Sequence, residues 1–362
     1  VKQKGNSDNE SANASMSVRT GSECFRALSM PEAVTLASGV YRVRASVPSR
    51  SKATADMVQT DEAFWTIFSF HFLSGEAFTK ADCDAGLTRA VLDATTARRL
   101  FGTTDAVGHT VQLDYVDYTV AGVVADVSML ATAAYAQIWV PYTAAGAEAM
   151  SWQNDTMGPM HAIILARSSA DFDAIREETE LLRKKYNDGL QDVEVFYRGQ
   201  PDTQLAYLYR RWYAEPDVPG VMLRYAIVVI ILLLVPAVNL SGMTLSRMRR
   251  RMAEIGVRKA FGATGGELMR QVFFENLVLT LLAGIVGLAL SYVATFALNG
   301  FLFSNSMNAS LSGETALTPG MLLSPWAFIA AFAFCLLMNI LSAGIPAWRA
   351  SRMNITDAIN QR

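Results

Sequence analysis

Tyr225-Ala-Ile-Val-Val-Ile-Ile-Leu-Leu-Leu-Val-Pro-Ala-Val-Asn-Leu-Ser-Gly-Met-Thr-Leu245 runs without one charged side chain and is followed by the basic stretch Ser246-Arg-Met-Arg-Arg-Arg251. Asn276 to Leu298 and Pro325 to Pro346 are likewise free of charge. A hydrocarbon core of about 30 Å is crossed by about 20 helical residues, so each stretch has the length of a span. The sequence therefore predicts an α-helical transmembrane domain over 225–362, with spans at 225–245, 276–298 and 325–346.

Orientation follows from the loops, because cytoplasmic connections collect Lys and Arg. Residues 246–270 hold Arg247, Arg249, Arg250, Arg251, Arg258, Lys259 and Arg270, whereas 299–324 contain only Glu314 among charged residues. The first loop is expected in the cytoplasm and the second on the opposite side. The tail, with Arg349, Arg352 and Arg362, returns to the cytoplasm. Before Val221 the chain carries 20 Lys/Arg against 28 Asp/Glu, net −8; from Val221 onward it carries 11 against 5, net +6. Two regions facing different solvents fit that split. The acidic region is expected outside, and a further transmembrane helix is expected ahead of Val1 to bring it there.

Within the outer region, residues 1–20 are small and polar and read as a flexible linker. Residues 21–202 mix short runs rich in Val, Ile, Tyr and Thr with amphipathic segments, which predicts an α+β domain of two subdomains and not a barrel or a bundle. Strands are expected at Gly39–Ser46, Arg89–Asp93, Thr110–Asp114, Tyr118–Val124, Gln137–Pro141, His161–Arg167 and Val193–Arg198. A helix is expected after Ser169, with Asp171 and Asp173 in its first turn, Phe172, Ile175, Thr179 and Leu182 on one side, and Arg183, Lys184 and Lys185 at its end. Residues 203–224, with Leu205, Leu208, Tyr209 and Trp212 at helical spacing ahead of Pro216, read as a stalk or connector. Cys24 and Cys83 lie where a disulfide is permitted, and the spacing decides neither pairing nor free thiols.

In the cytoplasmic loop, Met248, Met252 and Ile255 recur at helical spacing, Glu254 stands four residues before Arg258, and Gly262 follows Phe261 as a helix stop. Thr264 with Glu267 has capping-box spacing, so a new helix is expected from Thr264 into the second span. The arginines at 247 and 249–251 are explained by orientation and anionic lipid. A carboxylate, an Ile and a Phe on a capped helix add nothing to orientation and point to a docking surface.

Arg251-Met-Ala-Glu-Ile-Gly-Val-Arg-Lys-Ala-Phe-Gly-Ala-Thr264, followed by Gln271-Val-Phe-Phe-Glu-Asn276, resembles the signature loop of the MacB-type ABC transporter permeases, the group that includes FtsX and LolC/LolE. Ala97-Arg-Arg-Leu-Phe-Gly-Thr-Thr-Asp-Ala-Val-Gly108, Tyr118-Thr-Val-Ala-Gly-Val-Val-Ala-Asp126 and Glu62 to Phe78 resemble the periplasmic core domain of the family. Ile345-Pro-Ala-Trp-Arg-Ala-Ser-Arg352 is similar to its closing helix, with Ile355 where Pro is common. The resemblance covers most of 60–140 and nearly all of 223–362. It implies that Met252, Glu254, Ile255, Gly256, Arg258, Lys259, Phe261 and Gly262 form the coupling helix that seats in a partner ATPase. It further implies a homodimer or related heterodimer in a bacterial inner membrane, a periplasmic adaptor and outer-membrane protein in some members, and a mechanotransmission cycle. An FtsX-like regulator of cell-wall hydrolases is the second expectation.

Sites of chemistry are not expected. No Gly-x-x-x-x-Gly-Lys-Ser/Thr occurs, and Gly262-Ala-Thr-Gly-Gly266 lacks the phosphate-binding Lys, so ATP is expected on the partner and no cofactor on this chain. Gly102 and Gly108 read as turn glycines. His71, His109 and His161 show no metal-ligand spacing, and no Gly-x-Ser-x-Gly marks a hydrolase. Trp65, Trp139 and Trp152 read as core. The spans hold no ionisable residue, which argues against an ion-coupled carrier; Asn239, Ser241 and Asn339 are expected in helix-to-helix hydrogen bonds. No partner nucleic acid is expected; the lipid bilayer is.

Overall fold

A computed structural model describes residues 1–5, 11–48, 51–129, 131–210, 214–235, 257–258, 261–297, 326 and 328–338. It divides into two compact units, the first covering Val1–Pro216 and the second beginning at Asp217.

The strands are β1 (Lys2–Gln3), β2 (Ala33–Ser38), β3 (Tyr41–Ser46), β4 (Lys52–Thr60), β5 (Phe72–Gly75), β6 (Arg89–Asp93), β7 (Thr110–Leu113), β8 (Val116–Val124), β9 (Ile138–Pro141), β10 (Met160–Leu165) and β11 (Val193–Glu194). The helices of this unit are α1 (Val18–Gly21), α2 (Phe64–Ile67), α3 (Lys80–Asp84), α4 (Ala94–Phe101), α5 (Phe172–Asp188) and α6 (Gln204–Tyr209). A mixed α/β domain is thus observed, as the composition of the outer region predicted.

Seven strands form one sheet in the order β5-β8-β6-β9-β4-β3-β7, and β7 also pairs with β8. Six strands therefore close into a ring, with β5 attached outside it. That closure differs from the expectation of no barrel, and it arises from pairings remote in sequence, Ala45 with Leu113 and Ser46 with Gln112. Alternation sorts the residues into two cores. Val43, Ala45, Ala55, Met57, Leu92, Val111, Leu113, Val120, Ile138 and Val140 pack with Ala97, Leu100 and Phe101 of α4. Val58, Val91, Val124 and Trp139 face the other way, onto Phe64, Phe78 and Cys83. Each Val, Leu, Ile, Phe or Met among them, fully buried, contributes roughly 1.5–3 kcal/mol.

β2 and β10 form a separate antiparallel pair, and β1 pairs with β11. Around them Cys24, Phe25, Tyr186, Leu190, Val193 and Val195 make a third cluster, and Val18, Leu36, Tyr142 and Met160 a fourth. Cys24 and Cys83 are free and buried in different clusters. Residues 1–20 are more than a linker: β1 is paired, Ser17, Val18 and Thr20 are buried, and Ser17 caps α1 by accepting the Thr20 N–H. Short hydroxyl side chains read as solvated sequence, but here they satisfy helix-end donors.

Ser168, one residue earlier than expected, caps the approach to α5 in a reciprocal pair with Asp171. Ile175, Thr179 and Tyr186 form the buried face of α5. Trp139 is fully buried, whereas Trp152, expected in the core, is exposed.

In the second unit, α7 (Val218–Val235) and α8 (Gly265–Ala297) are long and apolar enough to cross a membrane, α8 over Phe273–Ala294. α7 begins seven residues before the expected span, and its continuation beyond Val235 lies outside the described residues. α9 (Phe328–Met338) covers part of the third expected span, most of the rest of which lies outside the described residues. Gly284 admits the Phe332 ring of α9: a Cβ there would lie 3.2 Å from it. Asn239, Ser241 and Asn339 lie outside the described residues.

Candidate functional site

The candidate surface is the loop ahead of α8. Met252, Glu254, Ile255, Gly256 and Lys259 lie outside the described residues, so the expected Glu254–Arg258 pair does too. Arg258, Phe261 and Gly262 are described, and their backbone forms a helix stop. Phe261 N–H donates to Val257 O at 3.1 Å, and Ala263 N–H donates to Arg258 O at 3.0 Å. The second bond is the six-to-one closure of a helix whose next residue turns left-handed. Gly262 supplies that turn with φ +93°, a conformation that costs a Cβ-bearing residue about 1 kcal/mol or more.

The turn throws Phe261 outward, 88% exposed, with Val257 beside it at 49%. Aromatic side chains are enriched where protein interfaces form.

Two links tie this turn to α8. Thr264 and Glu267 cap each other: Glu267 Oε2 accepts the Thr264 N–H at 2.9 Å, and Thr264 Oγ1 accepts the Glu267 N–H at 3.3 Å. The Thr264 backbone N–H, followed by its hydroxyl, holds the Glu267 carboxyl below the usual range. Arg258 Nη1 donates to Gln271 Oε1 at 2.8 Å, bracing the loop against the second turn of α8. The cap was readable as Thr-x-x-Glu spacing. The Arg258–Gln271 bond, 13 residues apart, carries no local signal.

At the junction leading to α7, Arg210 and Asp202 form an ion pair whose side chains are only 9% and 6% exposed. Arg210 Nη2 also donates to Arg198 O, and Nη1 donates to Ala214 O, both at 3.2 Å. The expected stalk helix is consequently interrupted: α6 ends at Tyr209 and a new helix starts at Val218. Asp217 accepts the Gly220 N–H at 3.1 Å and so caps α7.

In the first unit a cavity of about 660 Å³ is lined by Arg176, Glu180, Arg183, Phe196, Tyr197 and Arg198 with their neighbours. Arg183 is matched there by Glu180 and Glu194, so its wall presents paired charge. His161 bonds Ser15 Oγ at 2.9 Å. His109 packs on Phe101. Among the described residues no three His, Cys, Asp or Glu side chains group as metal ligands. Gly102 and Gly108 adopt φ +80°, and Gly102 donates to Arg98 O as the stop of α4.

The family model of the MacB-like periplasmic core domain matches residues 2–182, and that of the FtsX-like permease C-terminal region matches 226–355. The macrolide export ATP-binding/permease protein MacB of Chromobacterium violaceum is 25% identical over 307 residues, 84% of this chain and 43% of its own length. The protein of that name from Escherichia coli strain K12 is 26% identical over 314 residues, 85% of this chain and 43% of its own length. The chain thus spans less than half the length of these curated relatives. The periplasmic region of MacB from Actinobacillus actinomycetemcomitans aligns with TM-score 0.39 and 18% identity over 50% of this chain and 81% of that structure. The extracellular domain of the noncanonic ABC-type transporter YknZ from Gram-positive bacteria aligns with the same score and identity over 50% of this chain and 90% of that one.

Proposed function

The chain belongs to the MacB/FtsX-type permeases of ABC transporters, and from that premise we propose that it is a non-catalytic permease subunit that couples ATP hydrolysis by an ATPase outside this chain to export of a substrate. The reading places Met252, Glu254, Ile255, Gly256, Arg258, Lys259, Phe261 and Gly262 on the ATPase. It assigns three spans, at 225–245, 276–298 and 325–346, to a bacterial inner membrane, with 21–202 in the periplasm as the core domain and 203–224 as the connector. Two copies, or this chain and a related permease, pair in the membrane.

The observation that carries the reading is the mechanical continuity from Phe261 to α8. An exposed ring stands on a glycine-stopped turn, and that turn is bound through Thr264, Glu267, Arg258 and Gln271 to a helix that runs unbroken to Ala297. Force on the ring reaches the span without a flexible joint between Thr264 and Ala297. Mechanotransmission needs that continuity and needs no channel through the helices.

The test is Glu254→Arg combined with Phe261→Asp in the permease reconstituted with its cognate ATPase. Membrane insertion and the fold of the first unit should persist, while copurification of the ATPase and stimulation of its hydrolysis fall by about tenfold or more, as when a buried aromatic anchor is lost. Unchanged copurification and hydrolysis would remove the docking role.

A further inference from the structure

α6 presents an apolar face that the first unit does not cover. Of its six residues only Ala206 is buried, while Leu205, Tyr207 and Leu208 are 45%, 55% and 61% exposed. At the helical turn angle Leu205 and Leu208 share one side, with the half-buried Tyr209 next to them. A helix this short does not hold itself together in water. Here both ends are pinned: Thr203 Oγ1 accepts the Ala206 N–H at 3.2 Å, and Arg210 is locked to Asp202, with Nη2 to Oδ1 at 2.8 Å. The face is therefore held outward by a buried ion pair beside it.

Along the chain this element is the last one before α7. Arg210 holds Ala214 through its carbonyl, and four residues later α7 begins at Val218, with no residue of α7 buried in the protein. The sequence from 207 to 225 carries Tyr207, Tyr209, Trp212, Tyr213 and Tyr225, with Arg210 and Arg211 among them. Trp and Tyr concentrate at the headgroup level of membranes because their rings are apolar and their polar atoms remain wet. A sequence of that composition, next in the chain to the two exposed Leu side chains of α6, matches the chemistry of a lipid interface.

We propose that α6 is a membrane-seating element, with Leu205 and Leu208 lying in the outer headgroup layer of a bilayer. The inference rests on the reading of α7 and α8 as spans.

The experiment uses the full chain with Cys335→Ala, reconstituted in vesicles of phosphatidylethanolamine and phosphatidylglycerol. A bimane label is placed in turn at Leu208→Cys, at Tyr115→Cys on the β7–β8 turn, and at Leu282→Cys in α8. Protein without an added cysteine measures any labelling of the buried Cys24 and Cys83. Brominated acyl chains should quench the label at 208 nearly as strongly as at 282, and iodide should quench it far less than at 115. Iodide quenching at 208 equal to that at 115 would overturn the proposal. Protection from both quenchers would overturn it too, by showing that protein, such as a second copy of this chain, covers the face. Lack of lipid quenching at 282 takes down the membrane reading itself; quenching at 282 without quenching at 208 takes down only the seating of α6. Leu205→Cys makes the same measurement if Leu208→Cys does not fold.

Discussion

Thr264 and Glu267 hold each other across the first turn of α8, the Glu267 carboxylate accepting the Thr264 N–H at 2.9 Å while the Thr264 hydroxyl accepts the Glu267 N–H at 3.3 Å. The pair satisfies two of the donors that every helix start leaves open. In this chain it also fastens the exposed turn at Phe261 to the helix.

Thr264→Ala should fray this start. Hydrogen exchange should accelerate at the amides of residues 265–268 and stay unchanged in the middle of α8. The depressed Glu267 carboxyl adds a pH signature. A carboxyl with a lowered folded pKa stabilises above its unfolded value, and that stabilisation is lost as the pH falls through the folded one. Protection at this turn should therefore weaken on acidification below the ordinary Glu range, and Glu267→Gln should flatten that dependence.

Arg210→Ala leaves Asp202 buried without its partner. Removing one member of a buried pair costs about 3 kcal/mol. Thermal unfolding of the first unit, followed by near-ultraviolet circular dichroism, should shift down by several degrees. Replacing both members together by apolar residues should recover much of the loss. A single variant as stable as the parent would mean that the pair is not buried.

Asp93 caps α4 by accepting the Thr96 N–H at 2.7 Å, and burial, reinforced by the nearby Asp126 carboxylate, pushes its carboxyl up to about 6. Since the folded value exceeds the unfolded one of about 4, Asp93 favours the folded state most when protonated, and that contribution is lost as the pH rises through 6. Lowering the pH from 7 to 5 should thus stabilise the first unit through this residue, on the order of 2 kcal/mol when complete. Asp61, raised chiefly by burial, acts in the same direction. Asp93→Asn keeps the capping oxygen and should remove much of the slope; an unchanged slope would assign it elsewhere.

The parts legible in the sequence were those with local causes. Alternating β-branched runs announced β6, β7, β8 and β9 within one or two residues, and the Thr-x-x-Glu spacing announced the start of α8. β4 escaped notice because Asp56 and Gln59 sit inside it and Lys52, Ala53 and Ala55 imitate a loop. Both polar side chains are buried: Asp56 accepts from the Tyr135 hydroxyl, and Gln59 is bonded to Tyr41. β2, rich in Ala, Thr and Ser, was missed likewise, since its polar Thr35 bonds the buried Asp61. Ring closure depends on β3 meeting β7 some 70 residues later, and no short window contains it. At the turn ahead of α8, the glycine stop after Phe261 was legible, whereas the brace from Arg258 to Gln271 required the fold.

α8 runs for 33 residues, about 50 Å, against a hydrocarbon thickness of about 30 Å. A rod that overshoots its solvent necessarily leaves a portion in water, and pivoting about its centre by about ten degrees sweeps each tip through roughly 4 Å, the width of one side chain. Under the function proposed for Phe261, a small angular motion of α8 would move the ring by a distance comparable to its own width.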